Sequence, residues 1–179
     1  IRHLAYLFEA ARLMKDMARR GIGHVHVHFG TNAATVARFA FLLGGPTFSM
    51  TIHGPDEFDA PVAFSMREKV ADAQFVGAIT DYCASQLMRW SSYEDWKKIH
   101  RIHCTVPEEW FHATRPLPED SKQFVCIGRL SAQKGQLLLL EATRKVLDAG
   151  GDFRLVLVGD GEMRPEVERT IARLGLGEH

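Results

Sequence analysis

The sequence predicts an α/β fold with parallel sheets. Short apolar runs of strand length alternate with longer stretches of helical spacing along the whole chain, which is typical of strand–helix units. Polar residues, His53 and Arg129 among them, follow the apolar runs directly, where ligands bind in parallel α/β sheets. The composition is that of an ordinary globular protein, since 46% of the 179 residues are hydrophobic and 25% are charged.

The first part of the chain carries four of the predicted strands. Apolar residues at helical spacing predict a helix over residues 1–20, which the basic turn Arg19-Arg20-Gly21 ends. Apolar runs predict strands at His24–Phe29, Thr47–Ile52, Phe75–Ile79 and Ile99–Val106. Helices are expected at about 33–43, 61–72, 81–90 and 93–98, the last opened by a capping box at Ser92.

A linker is expected at residues 115–122, because the stretch around Pro116 and Pro118 is charged and has no apolar periodicity. It divides the chain into domains at 1–114 and 123–179. The second part is expected to hold strands at Phe124–Ile127 and Phe153–Val158, each followed by a helix, from about 133 to 147 and from about 163 to 174. Two strands and two helices bury little apolar surface, so we expect the second domain to be incomplete. The chain begins at Ile1 within a helical pattern and ends just after a helix, so we expect it to be the centre of a longer protein, with the first domain incomplete as well.

Charge and cysteine content exclude several classes of protein. The 22 basic and 22 acidic residues cancel, which argues against a nucleic-acid binder. Cys83, Cys104 and Cys126 form no Cys-x-x-Cys pair, which argues against a zinc site or a disulfide framework and favours a reducing, cytoplasmic setting. There is no secretory signal and no apolar run of about 18 residues that would span a membrane.

Arg129 and Lys134 flank a small polar turn that leads into a Leu-rich helix. A Lys in the first turn of a helix costs roughly 0.3–1 kcal/mol, because the helix start carries positive partial charge. A bound diphosphate would reverse that cost by meeting backbone N–H groups, the guanidinium and the ammonium together. The alternative is an exposed loop that happens to contain both cations.

Four histidines form a second group. His24, His26 and His28 alternate along a predicted strand and therefore share one face, and His53 follows the next strand. A His-x-His pair is a ligand pair in some zinc hydrolases, but no carboxylate follows at a suitable position. We prefer a buried strand with hydrogen-bonded imidazoles and expect no metal. At a strand end, His53 is compatible with a structural or a functional role.

Several of these stretches resemble one family. Gly-Arg-Leu-x-x-x-Lys-Gly at Gly128–Gly135, before a Leu-rich helix with Glu-Ala, resembles the donor-site segment of GT4-type retaining glycosyltransferases. The stretches His24–Gly30, Thr51–Phe58 and Leu157–Glu162 are similar to other parts of that family, whereas Thr105-Val-Pro replaces its usual Gly-Val-Asp and its late glutamate segment is absent. The resemblance implies the GT-B architecture of two Rossmann-like domains, acceptor-side at 1–114 and the start of the donor side at 123–179.

The resemblance also implies roles for particular residues. It implies that Gly128, Arg129 and Lys134 bind the diphosphate of a nucleotide sugar and that Gly159, Gly161 and Glu162 lie near the nucleotide. It implies that His53 lies at the reacting centre, either stabilising negative charge on the leaving diphosphate or acting as a general base.

The function implied is retaining transfer from a nucleotide-diphosphate sugar to a polysaccharide or lipid-linked acceptor, in cell-surface glycan synthesis, in the cytoplasm or at the inner face of the membrane. No cofactor besides the donor substrate is expected, and residues 1–179 alone are not expected to turn over. The aromatic residues Trp90, Tyr93 and Trp96 are expected to pack in a core or a cleft, with a membrane-surface patch as the second interpretation. The alternative functions are nucleotide binding without chemistry and a metal-dependent hydrolase that uses the four histidines.

Overall fold

The computed structural model of the chain describes residues 2–112, 116, 118 and 120–178. Contacts divide it into two compact units, Ile1–Glu108 and Glu109–His179. The predicted linker at 115–122 falls inside the second of these units, and residues 115, 117 and 119 lie outside the described part. The domain boundaries therefore stay a prediction. No helix among the described residues is both long enough and apolar enough to cross a membrane.

The first unit contains one parallel sheet of four strands in the order β1-β2-β3-β4. This arrangement confirms the predicted fold class. In chain order the elements are α1 (Arg2–Arg20), β1 (His24–His28), α2 (Asn32–Leu42), β2 (Thr47–Ile52), α3 (Asp56–Asp59), α4 (Met66–Asp72), β3 (Val76–Ala78), α5 (Asp81–Trp90), a 3₁₀ helix (Tyr93–Lys98) and β4 (Ile99–Arg101).

The core of this unit lies against β2, which is paired on both sides. Every residue of β2 from Phe48 to Ile52 is buried. Helix α2 turns Ala34, Ala37 and Ala40 inward, and these small side chains at helical spacing bring the helix close to its neighbours. The strand is an unbroken run of apolar and small polar residues, which is why its bounds could be predicted.

Three predicted elements of this unit differ from the structure. The predicted helix at 61–72 begins only at Met66, because Ser65 adopts a left-handed conformation (φ 51°). The predicted strand Ile99–Val106 ends at Arg101, because β3, the one strand that pairs with it in the described part of the chain, is three residues long. The capping box at Ser92 is wrong: its hydroxyl accepts a hydrogen bond from Arg67 at 2.9 Å and caps no helix.

The second unit contains a two-stranded parallel sheet. Its elements are α6 (Glu109–His112), β5 (Gln123–Ile127), a 3₁₀ helix (Ala132–Lys134), α7 (Gln136–Asp148), β6 (Arg154–Val158) and α8 (Arg164–Arg173). Leu140 of α7 and Val167 of α8 form its buried core with Leu176, and Leu155 and Leu157 of β6 pack against them. The opposite face of the sheet is open, with 78% of Ile127 exposed.

Candidate functional site

The loop after β5 is held in place by backbone hydrogen bonds. The amide of Gly128 donates to the carbonyl of Val158 (3.0 Å) and the amide of Leu130 to that of Asp160 (3.0 Å). The side-chain amide of Gln136, at the start of α7, donates to the carbonyl of Arg129 (2.9 Å). Only the backbone of Arg129 is engaged by these contacts, and the residue is exposed.

Gly159 and Gly161 bring the loop after β6 against the loop after β5. Both residues have φ values outside the range of ordinary side chains, 152° and 159°. A Cβ at Gly159 would overlap the carbonyl oxygen of Gly128, and a Cβ at Gly161 would overlap that of Leu130. The contact of two loop backbones is thus enough to require glycine here, before any ligand is considered. The expected proximity of Gly159 and Gly161 to a nucleotide stays a prediction.

Lys134 does not lie where the sequence placed it. It ends a 3₁₀ turn, Gly135 then takes a left-handed conformation (φ 67°, ψ 23°), and α7 begins only at Gln136. The premise that Lys134 occupies the first turn of the helix is therefore wrong, because the chain reverses its backbone twist at Gly135. Helix α7 still begins without a side-chain cap or an acidic first-turn residue, so its first N–H groups remain available to an anion.

Arg129 and Lys134 are both exposed, and neither forms an ion pair with any other residue that the structure describes. Arg164, at the start of α8, differs. Its guanidinium is 2.9 Å from Glu168 and 3.7 Å from Asp160. The hydrogen bond to Glu168, with the nearby charges, raises the pKa of Arg164 above its usual value. Unlike Arg164, Arg129 and Lys134 therefore carry positive charges that no described acidic residue neutralises. The predicted Glu162 is also exposed.

An apolar cavity of about 260 Å³ lies beside the start of α7. Gln136 and Leu137 of α7 line it together with Met163 and Val167. Arg129 and Lys134 do not line it. The cations and the cavity are therefore neighbours in the chain but separate features of the surface.

In the first unit, His53 follows the last residue of β2 and lies at the carboxyl edge of the sheet. Its Nε2 is 3.0 Å from Nδ1 of His28, the last residue of β1. Its Nδ1 is 4.0 Å from Sγ of Cys104, and the Phe29 ring packs on it with centroids 4.7 Å apart. His53 is therefore part of a cluster at the point where parallel sheets bind ligands.

The other two histidines of β1 have hydroxyl partners. His24 contacts the hydroxyls of Thr47 and Ser49, both at 2.8 Å, and His26 contacts those of Ser49 at 2.7 Å and Thr51 at 2.9 Å. Burial, with smaller effects of His28 and His24, lowers the pKa of His26. The imidazoles of His24 and His26 are hydrogen-bonded as expected, but the expectation of a buried strand is wrong, because no residue of β1 is buried and its only pairing among the described strands is with β2.

Among the described residues, no three His, Cys, Asp or Glu side chains are grouped so that they could hold a metal ion. The ring nitrogens of His24 and His26 face hydroxyl groups instead, and His28 and His53 face each other. Nothing in this arrangement supports the hydrolase alternative.

Glu57 and Lys69 both hold the turn that follows β1, and sequence reasoning missed this role. Glu57 is 1% exposed, and its Oε1 accepts a hydrogen bond from the amide of Gly30 (3.1 Å). Lys69, also 1% exposed, donates to the carbonyls of Gly30 (2.7 Å) and Thr31 (2.9 Å). The signal for Lys69 was its helical spacing, which places it inward with Met66 and Val70.

The aromatic residues near the end of α5 pack only in part. Tyr93 is 76% exposed and its ring contacts Trp96 edge-on, 5.1 Å between centroids. The indole N–H of Trp96 donates to the carbonyl of Met88 (3.1 Å). The core interpretation is therefore wrong for Tyr93, whereas Tyr93 and Trp96 line one surface cavity together. Membrane contact by this patch stays a prediction.

Comparison with known sequences connects the second unit to a family. A sequence model described as "Glycosyl transferases group 1" matches residues 108–179. A glycosyltransferase of Methanocaldococcus jannaschii is 36% identical over 62 residues, 35% of this chain and 15% of the relative. The alpha-D-kanosaminyltransferase of Streptomyces kanamyceticus is 25% identical over 127 residues, 65% of this chain and 33% of the relative. The chain thus spans a third or less of the length of these curated relatives.

Solved structures share the fold. A glycosyltransferase from Rickettsia africae has a TM-score of 0.68 at 22% identity, over 97% of this chain and 49% of its own. S. aureus MnaA, solved with UDP, has a TM-score of 0.60 at 16% identity, over 100% of this chain and 52% of its own. An S. aureus TarM mutant, solved with fondaparinux, alpha-GlcNAc-glycerol and UDP, has a TM-score of 0.57 at 14% identity, over 75% of this chain and 28% of its own.

The two kinds of comparison agree on the part of the chain that carries Arg129 and Lys134. The family match begins at residue 108, so it contains β5, α7, β6, α8 and the loops between them. Residues 108–179 have the sequence pattern of group 1 glycosyl transferases, in a chain that shares its parallel α/β fold with a solved glycosyltransferase.

Proposed function

We propose that this protein is a GT4-type retaining glycosyltransferase that uses a nucleotide-diphosphate sugar as donor and a polysaccharide or lipid-linked glycan as acceptor, in cell-surface glycan synthesis. Support comes from the group 1 match at residues 108–179 and from relatives named for glycosyl transfer. Two proteins of similar fold were solved with UDP, which supports a nucleoside diphosphate as the ligand. A cytoplasmic location, at the inner face of the membrane, belongs to the same proposal.

The observation that carries the proposal is the pair of uncompensated cations beside the uncapped start of α7. Arg129 and Lys134 are exposed and have no ion-pair partner among the described residues, while Arg164 nearby is paired. A diphosphate would accept hydrogen bonds from the guanidinium fork, the ammonium and the first N–H groups of the helix. Such a ligand would supply the negative charge that this end of the helix lacks.

The same groups would contribute to the reaction. As the bond between the sugar and the diphosphate breaks, negative charge grows on the leaving oxygen, and donors already fixed in place lower the barrier. We assign this role to Arg129 and Lys134, with His53 as the residue of the first unit that acts at the reacting centre. The chain spans about half of the similar solved structures at most, so we expect no turnover from these 179 residues alone.

Calorimetric titration of the chain with UDP, GDP and ADP tests the binding site. Arg129→Ala and Lys134→Ala are each expected to weaken binding about tenfold or more, since charge-assisted hydrogen bonds contribute about 1.5–3 kcal/mol. Arg169→Ala on α8 and Lys145→Ala at the far end of α7 are matched controls and are expected to bind as the unaltered chain does. Equal affinity in all five proteins, or no binding of any of the three nucleotides, would refute the proposed site.

A further inference from the structure

The cluster at the carboxyl edge of the first sheet has a feature that the proposed function does not use. His28 ends β1 and His53 follows β2, and these adjacent strands are parallel, with His28 opposite Thr51. The register brings the two rings together, Nδ1 of His28 lying 3.0 Å from Nε2 of His53. Nδ1 of His53 has a much weaker neighbour, the thiol of Cys104 at 4.0 Å. One nitrogen of His53 is therefore held and the other is open to a ligand.

The backbone after His28 holds its ring beside that of His53. Phe29, directly after it, has φ 71°, a value that a bulky aromatic residue rarely adopts and that often marks a functional site. Its amide donates to the carbonyl of Thr51 (2.9 Å) and its ring packs on His53. Beyond it, Glu57 and Lys69 hold Gly30 from inside the unit. The strained turn is thus fixed at both ends, and His28 with it.

A hydrogen bond between two imidazole nitrogens requires one protonated and one bare nitrogen. His28 can therefore decide which nitrogen of a neutral His53 carries the proton, as the partners of metal-bound and catalytic histidines do. If Nδ1 of His28 donates, Nε2 of His53 is bare and its Nδ1 carries the hydrogen. That open Nδ1–H is the group that can donate to a phosphate oxygen.

We propose that His28 is a positioning residue that donates to Nε2 of His53 and thereby presents the Nδ1–H of His53 to the donor substrate. The role of the presented N–H in sugar transfer rests on the proposed function. The arrangement of protons does not, because it is a property of the ligand-free chain.

The experiment reads the tautomer of His53 directly, by ¹⁵N-histidine NMR at alkaline pH, where imidazoles are neutral. The unaltered chain is expected to show the Nδ1–H form of His53. His28→Asp, whose carboxylate only accepts, is expected to reverse it to Nε2–H. His28→Phe keeps a ring of similar size without a partner and is expected to show both forms in exchange. Cys104→Ala, which removes only the 4.0 Å contact, is expected to keep Nδ1–H.

A His53 tautomer that is the same in the Asp, Phe and unaltered proteins overturns the proposal, as does Nε2–H in the unaltered chain. Because His28 is exposed, these variants are expected to fold, and their amide spectra check this. The result is separate from that of the nucleotide titration. A tautomer reversed in His28→Asp, without nucleotide binding, would support this inference and refute the proposed function. Nucleotide binding that needs Arg129 and Lys134, with an unchanged His53 tautomer, would support the proposed function and refute this inference.

Discussion

Glu57 and Lys69 hold the same peptide segment by its two kinds of backbone group. The carboxylate of Glu57 accepts from the amide of Gly30 at 3.1 Å, and the ammonium of Lys69 donates to the carbonyl of Gly30 at 2.7 Å. The second oxygen of Glu57 is buried and has no hydrogen-bond partner among the described residues. Two ionisable side chains in the interior thus fix the turn that follows β1, at a cost in desolvation that each of them carries.

The desolvation cost is seen in the pKa of Lys69. Burial, and secondly the charge of Arg38, lowers the pKa of Lys69 from about 10.5 to about 8, against the smaller opposing effect of Glu57. The folded chain therefore releases this proton at a lower pH than the unfolded chain. Between about pH 8 and pH 10.5 the unfolded state binds more protons, so this residue makes stability rise with pH in that window.

We expect the free energy of unfolding of the unaltered chain, minus that of Lys69→Met, to increase by on the order of 2–3 kcal/mol from about pH 7.5 to pH 10.5. Urea denaturation at several pH values measures it, and the subtraction removes the titration of groups that both proteins share. Lys97→Met, which removes an exposed lysine of the same unit, is the control and should show no such trend. A difference that stays constant or falls with pH contradicts the expectation.

The contact between the two loops of the second unit leads to a separate prediction. Gly159→Ala would place a methyl group against the carbonyl of Gly128, and backbone atoms cannot move aside as a flexible side chain can. Separating the loops would break the hydrogen bonds from Gly128 to Val158 and from Leu130 to Asp160. We expect Gly159→Ala to lower the unfolding free energy by about 2–4 kcal/mol, as overpacking and strained backbone do.

Gly128→Ala is the matched control, because a Cβ at Gly128 would meet no atom within 4 Å and its φ is not in the left-handed region. Its melting temperature should remain within about 2 °C of the unaltered chain, which corresponds to a few tenths of a kcal/mol. Calorimetry of both variants makes the comparison. Equal loss of stability in the two proteins would show that the loops do not meet as the structure has them.

The fold class was predictable because its evidence is spread over many residues. Alternation of apolar runs with helical stretches survives errors at single positions, and the buried strand Thr47–Ile52 is an unbroken apolar and small-polar run with the predicted bounds. The sequence pattern fails where the length of a strand depends on the strand that pairs with it. The residues after Arg101 have strand-like composition, but β3 is short and none of the described strands pairs with them.

The details of the candidate site depend on conformations that composition does not encode. Gly135 was expected inside a helix, and its left-handed turn instead separates Lys134 from α7. The burial of Glu57 departs from the usual exposure of carboxylates, so residue type alone does not predict its place inside the first unit. In each case one residue departs from the average behaviour of its type. The position of His53, by contrast, could be predicted from the fold class alone, because the residue directly follows β2.

The cysteines differ in burial, and this predicts an order of reactivity. Cys83 is buried, its thiol donates to the carbonyl of Ile52 at 3.4 Å, and desolvation raises its pKa. Cys104 is exposed beside His53, and Cys126 is intermediate. Because the thiolate is the form that reacts, alkylation should modify Cys104 first and Cys83 last, by a factor of at least about ten.

Mass spectrometry of iodoacetamide-treated protein over time gives the three rates, and treatment in urea shows how far folding sets them apart. Raising the pH should increase the rate at Cys83 more steeply than at an exposed thiol, because its pKa lies higher. Comparable rates at Cys83 and Cys104 in the native protein would contradict the burial of Cys83, which lies on α5 against the end of β2.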